Sequence, residues 1–228
     1  MPVIRILFIL TFLSLGSHFS WGETRLGNYY FGFGIHRIEH SRSYWENNGS
    51  NWTPSERKMD GYSFELSLNL PLSDSFDLNL GIIRNDFNDD AVTDHLNQAH
   101  ANLIYRFNRF KRETGFALPF AGLGLQYSEY KIGNWNPDAR VNSALISNKE
   151  KLHIKIQTGA ELYLNPELTL TPRLSYINQL FLDAQNDFLF DVSLSWLATR
   201  RHALSLAYSK YVDSQHSSLG IEYLHSWK

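Results

Sequence analysis

Apolar and polar residues alternate along the C-terminal stretch Ser218–Trp227. One face is made of large apolar side chains, interrupted only by His225: Leu219, Ile221, Tyr223 and Trp227. The other face carries mainly small or polar residues: Ser218, Gly220, Glu222 and Ser226. Because successive side chains of a β-strand point to opposite sides, this period of two predicts a strand with one apolar and one polar face.

The same alternation recurs upstream and predicts an all-β chain of about ten strands, with eight as the alternative count. The other predicted strands are Tyr29–Ile38, Tyr62–Leu70, Asp77–Ile82, Ala99–Phe107, Ala121–Ser128, Leu152–Leu164, Leu168–Tyr176, Phe190–Trp196 and Leu204–Ser209. Long connections (residues 40–60, 85–95, 131–150 and 178–187) alternate with short turns, one of them basic (residues 108–114). This alternation, and an even strand count, favour a closed antiparallel up-and-down β-barrel that spans a membrane.

The orientation of the apolar face decides between a transmembrane barrel and a secreted sandwich or lipocalin, whose apolar face turns inward. The polar faces are rich in Ser, Gly, Asn and Thr, which suit a crowded lumen better than a solvated surface. Aromatic residues collect near strand ends, and the apolar faces carry almost no charge at strand centres. We therefore expect Leu66, Leu123 and Leu194 to face lipid.

The composition excludes some kinds of chemistry and argues against nucleic acid as a partner. The 228 residues include no cysteine, so the chain offers no disulfide framework and no thiol chemistry. The net charge of −2, without a basic cluster, does not indicate nucleic-acid binding. The mean hydropathy of −0.32 fits a barrel whose lipid face uses only alternate residues.

The N-terminus has the features of an export signal: Arg5, an apolar run from Ile6 to Leu15, and small residues at Ser20 and Gly22. We predict cleavage after Gly22, so that residues 1–22 are a signal peptide and residues 23–228 form the barrel domain. A membrane-anchoring helix is the alternative, but the apolar run has about half of the roughly 20 residues that such a helix needs.

An aromatic residue, Trp227, next to the C-terminus of an alternating last strand resembles the closing strand of bacterial outer-membrane barrels. The whole predicted barrel resembles the small outer-membrane proteins of the OmpA/OmpX and opacity type. The resemblance implies a monomer in the outer membrane of a Gram-negative bacterium, in contact with its lipids and lipopolysaccharide. It also implies delivery by periplasmic chaperones and insertion by the barrel-assembly machinery.

The lumen of such a barrel is predicted to hold charged side chains and two histidines: Glu65, Asp77, Arg106, Lys155, Glu161, Arg173, Asp191, Glu222, His100 and His153. Ten strands enclose little more space than side chains fill, so we favour a blocked lumen over a narrow pore. Gly122, Gly124 and Gly220 are interpreted as making room for inward bulk or for strong curvature. Pro172 lacks a backbone donor, and we expect a bulge or register shift there.

Two patterns raise the possibility of an enzyme at the rim. Acidic residues of segment 85–95 (Asp86, Asp89, Asp90, Asp94, with His95) and of the fourth loop (Asp183, Asp187) resemble the omptin proteases. The set His216, Ser218 and Glu222 resembles that of lipid A deacylase barrels. The fourth loop lacks the Asp-x-His arrangement of the first family, and Leu219 stands where the second has asparagine. We therefore predict no catalytic, cofactor or metal site.

The surface offers two further candidates. Arg37, Arg84 and Lys210 would lie at upper strand ends, where they can meet lipopolysaccharide phosphates. Segments 40–60 and 131–150 are expected to be long loops with exposed aromatic residues that contact a surface ligand: Tyr44, Trp45, Trp52 and Trp135. The sequence thus predicts a structural or adhesion-like barrel, with a channel or a rim hydrolase as alternatives.

Overall fold

The computed structural model describes residues 26–47, 52–88, 92–135, 149–180, 186–199, 201–213 and 216–227. The predicted signal peptide, residues 1–22, and its cleavage site lie outside these ranges. The elements are β1 (Tyr30–Asn47), β2 (Trp52–Pro71), β3 (Phe76–Asn88), β4 (Val92–Arg106), α1 (Asn108–Thr114), β5 (Ala117–Trp135), β6 (Lys149–Asn165), β7 (Leu168–Gln179), β8 (Asn186–Thr199), β9 (His202–Tyr211) and β10 (His216–Ser226).

Each strand pairs antiparallel with its neighbours in sequence, and β1 also pairs with β10, which closes the sheet into a ten-stranded barrel. The closing register runs from Tyr30 opposite Ser226 to His40 opposite His216. A closed barrel leaves no strand edge in hydrocarbon, where an unpaired N–H or C=O group is costly. The predicted all-β, closed antiparallel architecture is confirmed.

The apolar faces point out of the barrel. Leu66, Leu123 and Leu194 are 39%, 59% and 37% exposed, whereas Asn102 and Ser175 are buried inside. A water-soluble protein does not cover its outer wall with leucine and phenylalanine while it fills its centre with serine and asparagine. This inverted arrangement is that of a transmembrane barrel, and it confirms the predicted orientation.

Aromatic rings lie at both ends of the apolar band. We call the end with residues 26 and 227 the terminal end and the opposite end the loop end. Three terminal-end contacts have ring centroids 4.9–6.0 Å apart: Tyr29–Trp227, Phe76–Tyr105 and Tyr105–Phe107. Tyr176 and Phe188 lie 5.2 Å apart on the outward face toward the loop end. Such rings are suited to the boundary between acyl chains and headgroups.

The predicted long loops 40–60 and 85–95 are wrong in extent, because strands continue through most of them. β1 runs to Asn47 and β2 begins at Trp52, while β3 runs to Asn88 and β4 begins at Val92. Segment 131–150 likewise begins within β5 and ends within β6, and residues 136–148 lie outside the described ranges. The apolar alternation stops where lipid stops, but backbone pairing continues without it.

The basic segment 108–114 is a seven-residue helix, α1, and not the predicted turn. Arg109 and Glu113 form an i,i+4 ion pair of 2.8 Å, which supports the helical conformation. The helix ends at Gly115, whose positive φ of 73° lets its N–H donate to the Lys111 carbonyl. Among the described residues, no helix is both long and apolar enough to cross a bilayer.

Pro172 lies in β7 without the predicted bulge. Gly159 opposes Arg173 and Leu162 opposes Leu170, so β6 and β7 keep one register on both sides of the proline. On the other side of β7, Pro172 opposes Val192 in β8. Because proline lacks the N–H that a ladder needs, the β6–β7 pairing is interrupted here but not shifted.

The orientation of the wall can be tested with a charge at the centre of the apolar band. We expect Leu123→Lys to lower the free energy of unfolding by about 2–4 kcal/mol, because the ammonium group would face hydrocarbon. Leu72→Lys is the matched control, since Leu72 is exposed in the turn between β2 and β3 and should cost about 0–1 kcal/mol. Urea unfolding in lipid vesicles measures both. Equal stability of the two variants would contradict a lipid-facing Leu123.

Candidate functional site

The lumen is packed by placing large side chains over glycines of adjacent strands. A Cβ atom added to Gly220 would lie 2.4 Å from Cγ of His36, and one added to Gly124 would lie 2.1 Å from Oδ1 of Asn102. Neither glycine can be replaced without displacing the facing side chain or the nearby backbone. The prediction that Gly124 and Gly220 make room for inward bulk is confirmed.

The predicted lumen charges lie on the inward faces of their strands. Lys155, Glu161 and Asp77 are among the buried residues. Arg173 and Asp191 line the cavity and form a 3.0 Å ion pair across β7 and β8. Burying charges of both signs inside a low-dielectric wall is costly, and the pairing of Arg173 with Asp191 offsets part of that cost.

The residues that precede β1 pack into the terminal end of the lumen. The Leu26 N–H donates to Oε1 of Glu161 over 3.0 Å, and the Gly27 N–H donates to Oδ2 of Asp77 over 2.9 Å. Asp77 also pairs with Arg106 at 3.2 Å, and both side chains are buried. An apolar cluster packs at the same end: Leu26, Ile104, Leu118 and Phe120. The chain thus enters the barrel mouth before it joins the wall.

Helix α1 adds a cation to this end. Nζ of Lys111 lies 4.9 Å from the centroid of the Tyr163 ring, a cation–π geometry. The pKa of Lys111 lies below its ordinary value, mainly because the side chain is partly buried. The Glu161 carboxylate opposes this effect, and the Arg106 charge adds to it. The side chain therefore covers the rim of β6 and is not fully solvated.

A separate apolar cluster lies inside the loop end of the lumen. Ile38, Met59 and Phe87 are at most 3% exposed, and Leu96 packs against them. Rings surround this cluster at centroid distances of 5.4–5.8 Å: His40 with Phe87 and His216, His216 with Phe87, and Tyr211 with His216. Between the two clusters the side chains leave a cavity of about 170 Å³, lined by polar and apolar groups.

The candidate protease residues do not converge. Asp86 accepts hydrogen bonds from Arg84, with Nδ1 of His95 at 2.6 Å, but this group lies on the outward face of β3 and β4. Asp187 lies on the inward side of β8, where it accepts the Asp213 N–H. Asp89, Asp90 and Asp183, and the side chain of Asp94, lie outside the described residues. The described acids therefore sit on opposite sides of the wall.

The candidate deacylase residues are also separated. His216, Ser218 and Glu222 share the inward face of one strand, so the first and last lie about 20 Å apart along it. The Ser218 hydroxyl lies 2.7 Å from that of Ser209, and His216 packs among rings. A catalytic base has to be oriented by a third group within hydrogen-bond reach, and Glu222 is too far from His216 for that role.

The predicted basic residues at upper strand ends are where the sequence placed them. Arg37 pairs with Asp60 over 3.3 Å on the outside of the barrel, and both side chains are about two-thirds exposed. Arg84 and Lys210 are exposed at the same end. These residues form a charged belt above the apolar band. The side chains of Tyr44, Trp45, Trp52 and Trp135 lie outside the described residues.

Sequence reasoning missed the residues that pack inside the two ends of the lumen. Leu26 and Gly27 precede the first alternating strand, and Gly27 is marked only by its positive φ of 85°, which a sequence does not display. At the loop end, Ile38 and Phe87 are apolar residues on polar faces. Each breaks the alternation of its strand, and that break is the signal that could have located the cluster.

No protein-family model and no curated protein matches the chain. Solved structures of outer-membrane barrels are similar in fold. Neisserial surface protein A is 12% identical over 87% of this chain and 97% of its own, with a TM-score of 0.43. Ail, the attachment invasion locus protein of Yersinia pestis, is 9% identical over 86% of this chain and 99% of its own, with a TM-score of 0.37.

An outer-membrane channel from Pseudomonas putida F1 is similar to the same degree. It is 10% identical over 93% of this chain and 100% of its own, with a TM-score of 0.45. The three names describe a surface protein, an attachment invasion locus protein and an outer-membrane channel. At such identities the likeness concerns the fold alone, and the function has to be argued from the side chains of the barrel.

The buried ion pair at the terminal end is testable. We expect Asp77→Ala to lower the free energy of unfolding by about 3–5 kcal/mol, because it leaves the buried Arg106 charge without its carboxylate partner and the Gly27 N–H without its acceptor. Asp60→Ala is the control, since it removes the exposed pair with Arg37 and should cost about 0–1 kcal/mol. Equal losses, measured by urea unfolding in detergent, would contradict a closing role for Asp77.

Proposed function

We propose that the protein is an integral barrel of a bacterial outer membrane that does not conduct ions and acts through its loop end. One observation carries the proposal: two separate clusters lie inside the lumen, one around Asp77 and Leu26 and one around Phe87. A barrel closed in this way contributes a wall and a projecting surface, not a passage. The separation of His216 from Glu222 supports a non-enzymatic role.

Three features support the outer-membrane location. The wall is apolar outside, aromatic rings border the apolar band, and the N-terminus predicts an export signal. Such a barrel would reach the membrane with periplasmic chaperones and the barrel-assembly machinery. Arg37, Arg84 and Lys210 would then lie at the level of lipopolysaccharide phosphates, which they can bind by charge-assisted hydrogen bonds.

The hairpin of β1 and β2 supports a role at the surface. A transmembrane strand needs about 9–11 residues, whereas β1 has 18 and β2 has 20. The apolar outward face of β1 ends at Ile35 and that of β2 begins at Tyr62. The remaining length of both strands, within segment 40–60, extends beyond the bilayer and is available to a ligand on a host cell or another protein. Segment 131–150 is the second candidate contact.

A channel is the alternative function, and the polar cavity of about 170 Å³ favours it. Conduction would require both clusters to open. We expect the purified protein to produce no steady single-channel steps in a planar bilayer, because apolar and ion-paired side chains block the lumen. A porin in the same bilayer is the positive control. Steady steps that scale with the amount of inserted barrel would contradict the proposal.

The surface role predicts the effect of shortening the hairpin. Replacing residues 42–57 by an Asn-Gly turn should abolish binding of cells that carry the protein to host cells or matrix proteins, while the barrel still folds. Replacing α1 by a short turn is the control, because α1 lies at the opposite end and should leave binding unchanged. Adhesion that survives the loss of residues 42–57 would rule out this hairpin as the contact.

A further inference from the structure

We infer that the lumen contains a binding site for one Zn²⁺ ion, formed by His36, Glu65 and Glu222. One ligand atom from each residue lies within 4.8 Å of the others, and Nε2 of His36 is 3.8 Å from Oε2 of Glu65. The three residues belong to β1, β2 and β10, which are the strands at which the barrel closes. The site goes beyond the proposed surface role and does not depend on it.

The three side chains converge over Gly34. Glu222 and Glu65 are the residues directly opposite Gly34 on its two neighbouring strands, and His36 follows on the same inward face. A Cβ atom added to Gly34 would lie 2.7 Å from Nε2 of His36 and 3.2 Å from Cγ of Glu222. The missing side chain therefore leaves a space beside Nε2 of His36 and the side chain of Glu222.

His36 itself points to a ligand. The residue is 6% exposed, and within the described part of the chain neither ring nitrogen has a hydrogen-bond partner. An imidazole buried without any hydrogen bond is costly, and metal coordination through one nitrogen removes part of that cost. The ring lies directly against Gly220, which leaves room for it, since a Cβ there would lie 2.4 Å from Cγ of His36.

The three donor atoms favour zinc. One imidazole nitrogen and two carboxylate oxygens match the three-ligand zinc sites of proteins, which leave a fourth position to water. Ligands at about 2.0–2.2 Å from zinc lie about 3.3 Å from one another in tetrahedral geometry. The 3.8 Å separation of His36 and Glu65 closes to this value by rotation of the glutamate. The polar cavity that these residues line gives room for the water.

The order of assembly follows from the topology. Glu222 belongs to β10, so the site is complete only after β10 has paired with β1. The clusters at the two ends then enclose the cavity. Zinc present during refolding should therefore be captured readily, whereas zinc added to the closed barrel should bind much more slowly.

The test measures zinc retained by the full chain after refolding from urea into detergent with Zn²⁺, followed by EDTA and gel filtration. All samples carry His225→Gln, because His202 and His225 lie together on the outward face, with Nδ1 atoms 3.4 Å apart, and could hold a second ion. We expect about one zinc per chain in this background. His36→Gln and the double variant Glu65→Gln/Glu222→Gln should retain none.

Gly34→Ala is the sharpest variant, because it keeps all three ligands and fills the space between them. It should lose zinc, whereas Gly32→Ala, two residues away on the same face, should keep it, since its Cβ meets Ser67 and Leu224 instead. His100→Gln is the histidine control, because His100 lies over Gly81 with Lys155 and Arg173 as its charged neighbours. Heat-modified gel mobility confirms that each variant has folded.

The visible absorption of bound cobalt distinguishes residues that coordinate the metal from residues that only support the fold. Co²⁺ in place of Zn²⁺ should give the visible absorption of a four- or five-coordinate site in the His225→Gln background and not in Gly34→Ala. Absence of bound zinc in that background, or equal zinc in Gly34→Ala and Gly32→Ala, would overturn the inference. Either result would leave the non-conducting surface role unaffected, because that role is tested by conductance and adhesion.

Discussion

The structure depends on one constraint: a backbone inside hydrocarbon must satisfy all of its hydrogen bonds within the protein. Each strand meets this requirement only when both neighbours are present, so the pairing of β1 with β10 determines whether the barrel exists at all. Once the wall is closed, every second side chain must face lipid and every other one must share a narrow interior. The outward leucines and the inward serines and asparagines are both consequences of closure.

The interior solves the resulting packing problem by complementing size across strands. Glycine on one strand receives the ring or amide of the next, as Gly220 does for His36 and Gly124 for Asn102. Charged groups are then paired along the wall, as Arg173 is with Asp191. The interior of a ten-stranded barrel is only slightly wider than one that side chains fill, so this packing leaves a cavity of about 170 Å³ among the inward side chains.

The periodicity of the sequence predicted the strands, their faces and the closed architecture, because lipid imposes a strict alternation on residues such as Leu123. It did not predict the upper halves of β1 and β2, since water imposes no such alternation. It also missed α1, because a short basic segment between two strands resembles a turn in the sequence. The convergence of His36, Glu65 and Glu222 could not be predicted, because it depends on the register of three strands far apart in sequence and on the space above Gly34.

The upper part of the β1–β2 hairpin has a further consequence. β10 accompanies β1 only as far as His40, and β3 accompanies β2 only from Asp60, so in the described residues the hairpin continues beyond them as a two-stranded ribbon. Both long edges of a ribbon present backbone donors and acceptors in a regular row. An extended peptide can add itself there as a third strand, whatever its side chains, and an isolated ribbon gains stability from such an addition.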